Sequence, residues 1–169
     1  MFKPCAQFER ITDISGDYLK SKNIKAIIVD VDNTLIDLDR NQLPNIIEWA
    51  TEIKKQNIKI CVASNSIKKG KVEKIANLLD VPYVYASIKP LKRGLKKAIK
   101  ILNVDSEDVA EIGDQLFTDV IGANRMKMFS ILTNPISPEK YFIAKIKRKI
   151  EKIVLNIVEQ KNWNKLFHK

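Results

Sequence analysis

Asp30 and Asp32 stand one residue apart at the end of an apolar run, AIIVDVDNTLI over residues 26–36. Two carboxylates sharing one small site repel each other, so the pair requires either a bound divalent cation or a strongly raised pKa. For a D-x-D taken alone, a solvated Asp-rich turn is the competing reading. Three further polar groups follow. Ser64, Asn65 and Ser66 close the apolar stretch IKICVA, and a hydroxyl with backbone N–H groups before a helix can hold phosphate oxygens, although a simple N-cap has the same sequence. Pro90 biases Lys89 toward extended backbone, which would hold its amine over a sheet edge; an exposed turn is the other reading of Lys-Pro. Asp114 and Asp119 come after VAEIG and form a second acidic site. The single histidine, His168, is next to last, so acid–base work falls to a carboxylate or a lysine.

The elements that would position these groups read as alternating strands and helices. Ala26 to Val29 is apolar without alternation, which suits a strand buried on both faces of a parallel sheet. Asp30 then lies at the carboxyl edge, where open α/β sheets bind ligands, and Asp32 is on the same side of the extended chain. Pro44 opens a helix with Ile46, Ile47, Ala50 and Ile53 as its apolar face, ending around Gln56 and Asn57. A strand over 58–63, a helix over 68–79, a strand over 81–86 and a helix over 91–102 follow, the last with Leu95, Ala98, Ile99 and Leu102 inward. Next come a strand over 109–112, a helix opened by Asp119 and a strand over 128–132. Five strands with short helical connections predict a doubly wound, five-stranded parallel sheet of Rossmann-like α/β class. The intervals 37–58 and 65–83 each have room for one helix, so no cap domain fits. In the N-terminal arm Phe8, Ile11, Ile14, Tyr18 and Leu19 recur at helical spacing, with Ser15 or Asp17 able to cap a short helix ending near Asn23.

A chain of 169 residues suits one domain and buries about 70% of its unfolded surface. The net charge of +10 favours an anionic partner: a phospholipid surface, a nucleic acid or a phosphorylated substrate. No apolar run approaches the ~20 residues of a membrane span, and MFKPCAQFER lacks the apolar segment of a signal peptide, so a cytoplasmic protein is expected. Cys61 lies within an apolar strand and Cys5 stands alone, neither with metal-ligand spacing. Residues 138–169 differ in character. Ile143, Ile146, Ile150, Ile153, Val154 and Ile157 form an apolar stripe at helical spacing, with Lys140, Lys145, Lys147, Arg148, Lys149 and Lys152 over much of the remainder. Trp163 and Phe167 among Lys161 and Lys165 extend the pattern. The stripe is expected to pack inward on the core, leaving lysines free to face an anionic membrane surface; binding of the stripe itself to a membrane surface or a partner helix is the competing reading.

Asp30 and Asp32, Ser64, Lys89, then Asp114 and Asp119 fall at successive strand ends in a fixed order. Together they resemble the haloacid dehalogenase (HAD) superfamily, whose four motifs are a D-x-D, a Ser or Thr, a Lys and an acidic G-D-x-x-x-x-D. The resemblance implies Asp30 as nucleophile, Asp32 as general acid and base, and Ser64, Asn65 and Lys89 around the phosphoryl group. It also implies Mg²⁺ held by Asp30, the Asp32 carbonyl and Asp114, with Asp119 as a further acidic ligand or support. VDVDNTLID, ASNS, SIKP and IGDQLFTDVIGANRMKM resemble more closely the YqeG or phosphatidylglycerophosphatase branch, class IIIA, and the arm FKPCAQFERITDISGDYLKSKNIK resembles it too. Ser66 departs from that branch, which carries a second asparagine there. The branch implies hydrolysis of phosphatidylglycerophosphate. The short intervals and the basic helix independently suit a lipid substrate, with a capless core over 1–137, a helical segment over 138–169 packed on it, and a protein able to sit peripherally at the inner face of the membrane. A phosphatase of nucleic-acid ends is the alternative. It would need a basic, aromatic-bearing groove, and aromatics are only 7% of the chain, with Trp49 and Trp163 on helices away from the strand-edge loops.

Overall fold

The computed structural model describes the backbone of residues 1–167 and the side-chain environments of residues 1–158. Its strands are β1 (Ala6–Phe8), β2 (Ala26–Val29), β3 (Lys59–Ala63), β4 (Tyr83–Val84), β5 (Val109–Gly113) and β6 (Phe129–Thr133). Its helices are α1 (Gly16–Ser21), α2 (Ile46–Lys55), α3 (Lys69–Leu79), α4 (Lys92–Leu102), α5 (Ile121–Arg125) and α6 (Phe142–Phe167). The strands form one sheet in the order β1-β6-β5-β2-β3-β4, every neighbouring pair parallel.

The lack of alternation in β2 now has its cause. Ile27 and Val29 enter a core with Ile60, Val62 and Ile112 under α2 and α3, while Ala26 and Ile28 enter a second core with Cys61, Leu95, Ala98 and Ala123 under α4 and α5. Successive side chains alternate faces, so a strand covered on both sides needs apolar residues throughout. Only the loop 30–45 with α2, and α3 by itself, occupy the two intervals judged too short for a cap.

Several elements differ from expectation. The sheet has six strands, because Ala6–Phe8 pairs with β6 at the edge, Ala6 opposite Ile131 and Phe8 opposite Thr133. Three residues are too few to show a period-two pattern, and Phe8 is therefore strand and not helix. In the rest of the arm Ser15 is the cap, accepting from Tyr18 N at 3.1 Å. On α2 the buried aromatic is Trp49, whereas Ile47 is exposed. The strand over 81–86 shrinks to Tyr83–Val84, since Ala86 and Ile88 take positive φ values of 46° and 54° and turn the chain off the ladder.

The largest departure is α6. Its isoleucine stripe does not face the core: Ile143, Ile146, Ile150, Ile153 and Ile157 are all exposed. The helix packs instead through Arg148 and the buried Glu151, which binds Phe117 N at 3.0 Å, with Ala144, Val154 and Leu155 half-buried beside them. Trp163, Phe167 and His168 lie outside the residues whose side chains are described.

Trp49 ties the arm to the domain by donating its indole N–H to Ile14 O at 2.8 Å in a buried setting. Trp49→Phe keeps most of the apolar area and removes that donor, leaving a buried carbonyl unpaired. A loss of about 1–3 kcal/mol in unfolding free energy is expected by urea denaturation.

Candidate active site

The carboxyl edge of the sheet collects the polar groups. Asp30 follows β2 directly, and its N–H continues the ladder to Ile112 O at 2.9 Å. Ser64 follows β3 and does the same to Val84 O at 3.0 Å. Lys89 is carried by the loop after β4, Asp114 follows β5, and Asp119 sits in a π-helical turn, Leu116–Val120, ahead of α5. Asp119 therefore does not open a regular helix. Its carboxylate accepts from Gln115 N at 3.0 Å and lies over Gly113, where an added Cβ would come within 2.3 Å of Asp119 Oδ2.

Lys89 is the centre of the constellation. Its Nζ lies 2.8 Å from Asp30 Oδ1, 2.8 Å from Asp119 Oδ1 and 3.1 Å from Glu111 Oε1, and its side chain is almost wholly buried. The loop that carries it is clamped from two sides. Asn65 Oδ1 accepts from Lys89 N at 2.6 Å and from Ser87 Oγ at 2.9 Å, while Asn65 Nδ2 donates to Lys89 O at 3.0 Å. Behind the loop, α4 comes so close that a Cβ on Gly94 would sit 2.3 Å from Ser87 O. The Asn65 side chain is thus committed to bracing Lys89, and any direct contribution from Asn65 to a substrate would come from its main chain. Ser64 Oγ accepts from Ser66 N at 3.1 Å, which shapes the turn ahead of α3.

Asp30, Asp114 and Asp119 each offer a carboxylate oxygen within 4.8 Å of the others, and all three residues are buried. Asp32 does not add its carboxylate to that group; it is half-buried and ion-paired with Lys71 on α3. Asp30 is grouped with the acids of β5 and its following turn, and Asp32 is near enough to add to the rise of the Asp30 carboxyl. Asp114 is held differently. Its Oδ2 is bound by Arg148 of α6, while its Oδ1 is buried without a hydrogen-bond partner among the described residues. One oxygen is thus anchored and the other left free, the arrangement typical of a carboxylate ligand steadied from behind.

Two residues of this cluster escaped the sequence reading. Glu111 lies in the middle of β5, fully buried, and reaches Lys89. An acid in an otherwise apolar strand covered on both faces was the signal available for it. Arg148 bore no such mark, being one base among many on α6.

Four buried acids, Asp30, Glu111, Asp114 and Asp119, face two cations, Lys89 and Arg148, and Arg148 is shared with Glu139 and Glu151. The surplus is negative. Burial raises the Asp30 carboxyl to about 6, against the pull of Lys89, with Asp119 and Asp32 adding to the rise. Burial likewise takes Glu111 up to about 8 and holds Asp114 well above the usual carboxylate range despite Arg148. Lys89 is raised well above its ordinary value; burial opposes this and the carboxylates of Asp119, Asp30 and Glu111 outweigh it. A divalent cation among Asp30, Asp114 and Asp119 would supply the missing charge and a partner for Asp114 Oδ1, so the residues fit such an ion.

Comparison with solved structures gives the class. A HAD phosphatase from Thermococcus onnurineus superposes with a TM-score of 0.52 over 60% of this chain and 51% of that one, at 22% identity. The cobalt-bound deoxy-D-mannose-octulosonate 8-phosphate phosphatase YrbI from Haemophilus influenzae does so with a TM-score of 0.52 over 81% and 90%, at 16% identity. The fold is that of HAD phosphatases. The family model described as "Mitochondrial PGP phosphatase" matches residues 1–137, so the chain belongs to that family and is a phosphoric monoester hydrolase. It is also 35% identical to the "Probable phosphatase YqeG" of Bacillus subtilis (strain 168), across 95% of this chain and 93% of that one.

Two outcomes are expected. Without added metal, a proton held by Glu111 up to about 8 in the folded state leaves the unfolded chain near 4.5, so stability from this group is complete below 4.5 and is lost as pH rises through 8. The unfolding midpoint should fall across that window by calorimetry, and Glu111→Gln should flatten the fall. Gly113→Ala should displace Asp119 and weaken Mn²⁺ binding by about tenfold or more in calorimetric titration while the protein stays folded.

Proposed function

We propose that the protein is a Mg²⁺-dependent phosphatase that hydrolyses phosphatidylglycerophosphate to phosphatidylglycerol and phosphate through an aspartyl-phosphate on Asp30. The observation that carries this reading is the buried Asp30 carboxylate set 2.8 Å from Lys89 and grouped with Asp114 and Asp119 at an open sheet edge. The family description, the relative named a probable phosphatase and the cobalt-bound neighbour support it. The open edge, with no inserted domain between β2 and α2 or between β3 and β4, suits a phosphate presented on a lipid headgroup. A peripheral protein working from the cytoplasmic face fits the same reading, and no helix among the described residues is long and apolar enough to cross a membrane.

Asp30 attacks the phosphorus of the monoester, forming an acyl phosphate as the bond to the lipid alcohol breaks. Asp32 gives its proton to the departing oxygen. It then takes a proton from water, which attacks the same phosphorus, frees inorganic phosphate and regenerates the Asp30 carboxylate. Asp32 lies two residues from Asp30 and remains half open to solvent, so it can exchange its proton with water. Lys89 lowers the cost of bringing a phosphoryl group against the Asp30 carboxylate, and Ser64 with the main chain of its turn faces the phosphoryl oxygens. Mg²⁺, held by Asp30, Asp114 and Asp119 with the Asp32 carbonyl, would supply further positive charge against that repulsion and keep Asp30 ionised.

Phosphate release from phosphatidylglycerophosphate in mixed micelles with Mg²⁺ tests the proposal, beside a 5′-phosphorylated oligonucleotide and a small phosphate ester. The lipid is expected to give the highest kcat/KM; activity confined to the other two would keep the chemistry and overturn the substrate. Asp30→Asn should fall to background, and Asp32→Asn should lose about 10²–10⁴ in kcat, with wild-type activity in either overturning the assigned roles. Mg²⁺ should raise the unfolding midpoint more at pH 8 than at pH 5, because protons on the raised carboxyls compete with the ion at the lower pH.

A further inference from the structure

Exposed apolar side chains rise from the sheet edge on both sides of Asp30. On the side of β3 and β4, Ile67, Ile88 and Leu91 are 82%, 54% and 51% exposed. They belong to the same loops as Ser64 and Lys89, and the exposed Lys68, Lys69, Lys92 and Arg93 stand next to them in the chain. On the side of β5 and β6 lies α6, anchored by Glu151 to the turn after β5. Tyr141 and Phe142 are exposed at its start, followed by Ile143, Ile146, Ile150, Ile153 and Ile157. Lys145, Lys149 and Lys152, at i, i+4 and i+7, run beside that stripe and are exposed too. A helix docked by its isoleucines would have buried them. Here Arg148 and Glu151 provide the packing face and leave the stripe free.

The charge next to both patches along the chain is mainly positive, with Lys140 paired to the exposed Asp39 and Glu139 and Glu159 bounding the second stretch. Residues 67–69 and 88–93 contain no acid, and the only acid from 140 to 158 is the buried Glu151. The spacing of the five isoleucines, three and four residues apart in turn, also suits a helical seam with a second copy. A second copy would bring the same lysines into that seam, with no exposed acid from this stretch to meet them. An anionic lipid surface complements both features at once, taking aliphatic side chains at the acyl boundary and ammonium groups at the phosphates.

We propose that the Ile67–Ile88–Leu91 rim and the isoleucine stripe of α6 form a two-part docking footprint that seats the open edge on an anionic bilayer and presents a headgroup phosphate to Asp30. The footprint rests on the lipid reading of the site, and the two are separable by experiment. Full-length protein would be sedimented with vesicles of phosphatidylglycerol and phosphatidylcholine, and with vesicles of phosphatidylcholine alone. Two double variants would be compared with it, Ile67→Glu with Leu91→Glu, and Ile150→Glu with Ile153→Glu. Turnover of p-nitrophenyl phosphate in solution, and mass by analytical ultracentrifugation, would be followed in parallel. Wild type should partition about tenfold or more in favour of the anionic vesicles, and each pair should lose most of that preference, as each removes one apolar anchor. Turnover of the soluble ester should remain within about twofold, since neither pair touches the reacting groups. Unchanged vesicle binding in both double variants, or equal binding of wild type to neutral vesicles, would overturn the footprint. A dimer that dissociates in the α6 variant without loss of vesicle binding would overturn it by assigning the stripe to a second copy. Vesicle binding that follows the prediction without release of phosphate from phosphatidylglycerophosphate would support the footprint while removing the substrate.

Discussion

A single buried amine holds this site together. Lys89 sits between Asp30 at the end of β2, Glu111 inside β5 and Asp119 in the turn beyond β5, so one cation ties its own loop to two stretches of chain distant in sequence. Burying an ammonium group is expensive unless its partners are well placed, and much of the local architecture serves that placement. The Asn65 amide fastens both ends of the Ser87–Lys89 segment, Gly94 lets α4 press against it, and Gly113 makes space for the third acid. Each of these small residues or short polar bonds matters through the one charge it helps to fix.

That charge is outnumbered. Acids exceed bases in the pocket, and a low-dielectric interior does not tolerate the excess without protons or cations. Raised carboxyl values at Asp30, Glu111 and Asp114 are the metal-free expression of this imbalance. On the proposed reading the same imbalance suits a site that takes a divalent cation and then a phosphoryl group, because positive charge gained from the ion offsets negative charge brought by the ester. Stability of the empty pocket is given up in favour of affinity for what enters it.

The parts of this picture that were legible from the chain are those in which local sequence and global packing agree. Ala26–Val29 suited a doubly covered strand and is one, and the acids, hydroxyl and lysine lie at or just beyond successive strand ends along one sheet edge. Glu111 was legible in principle, as a charge where every neighbour is apolar. Other features depend on partners that no short stretch reveals. The strand Ala6–Phe8 exists because β6 offers an open edge, and the Asp32 carboxylate pairs with Lys71, about forty residues away on α3. The helix α6 is the clearest case. Its stripe announces that something apolar belongs against it, but amphipathicity does not say what, and the domain instead takes the polar face because Arg148 and Glu151 find partners at the site.

The Arg148–Asp114 pair also bears on where the functional unit ends. The family match stops at residue 137, and the fold of the sheet is complete by Thr133, so a boundary drawn on either ground would separate a finished domain from an appendix. Yet the guanidinium that steadies one of the candidate metal acids comes from eleven residues past that boundary. A segment outside the matched core can in this way acquire a say in the chemistry, and relatives that share the core while differing in their final helix need not share the same poise of Asp114. Comparisons among them are best made on the whole chain, since the last helix reaches a buried carboxylate of the site.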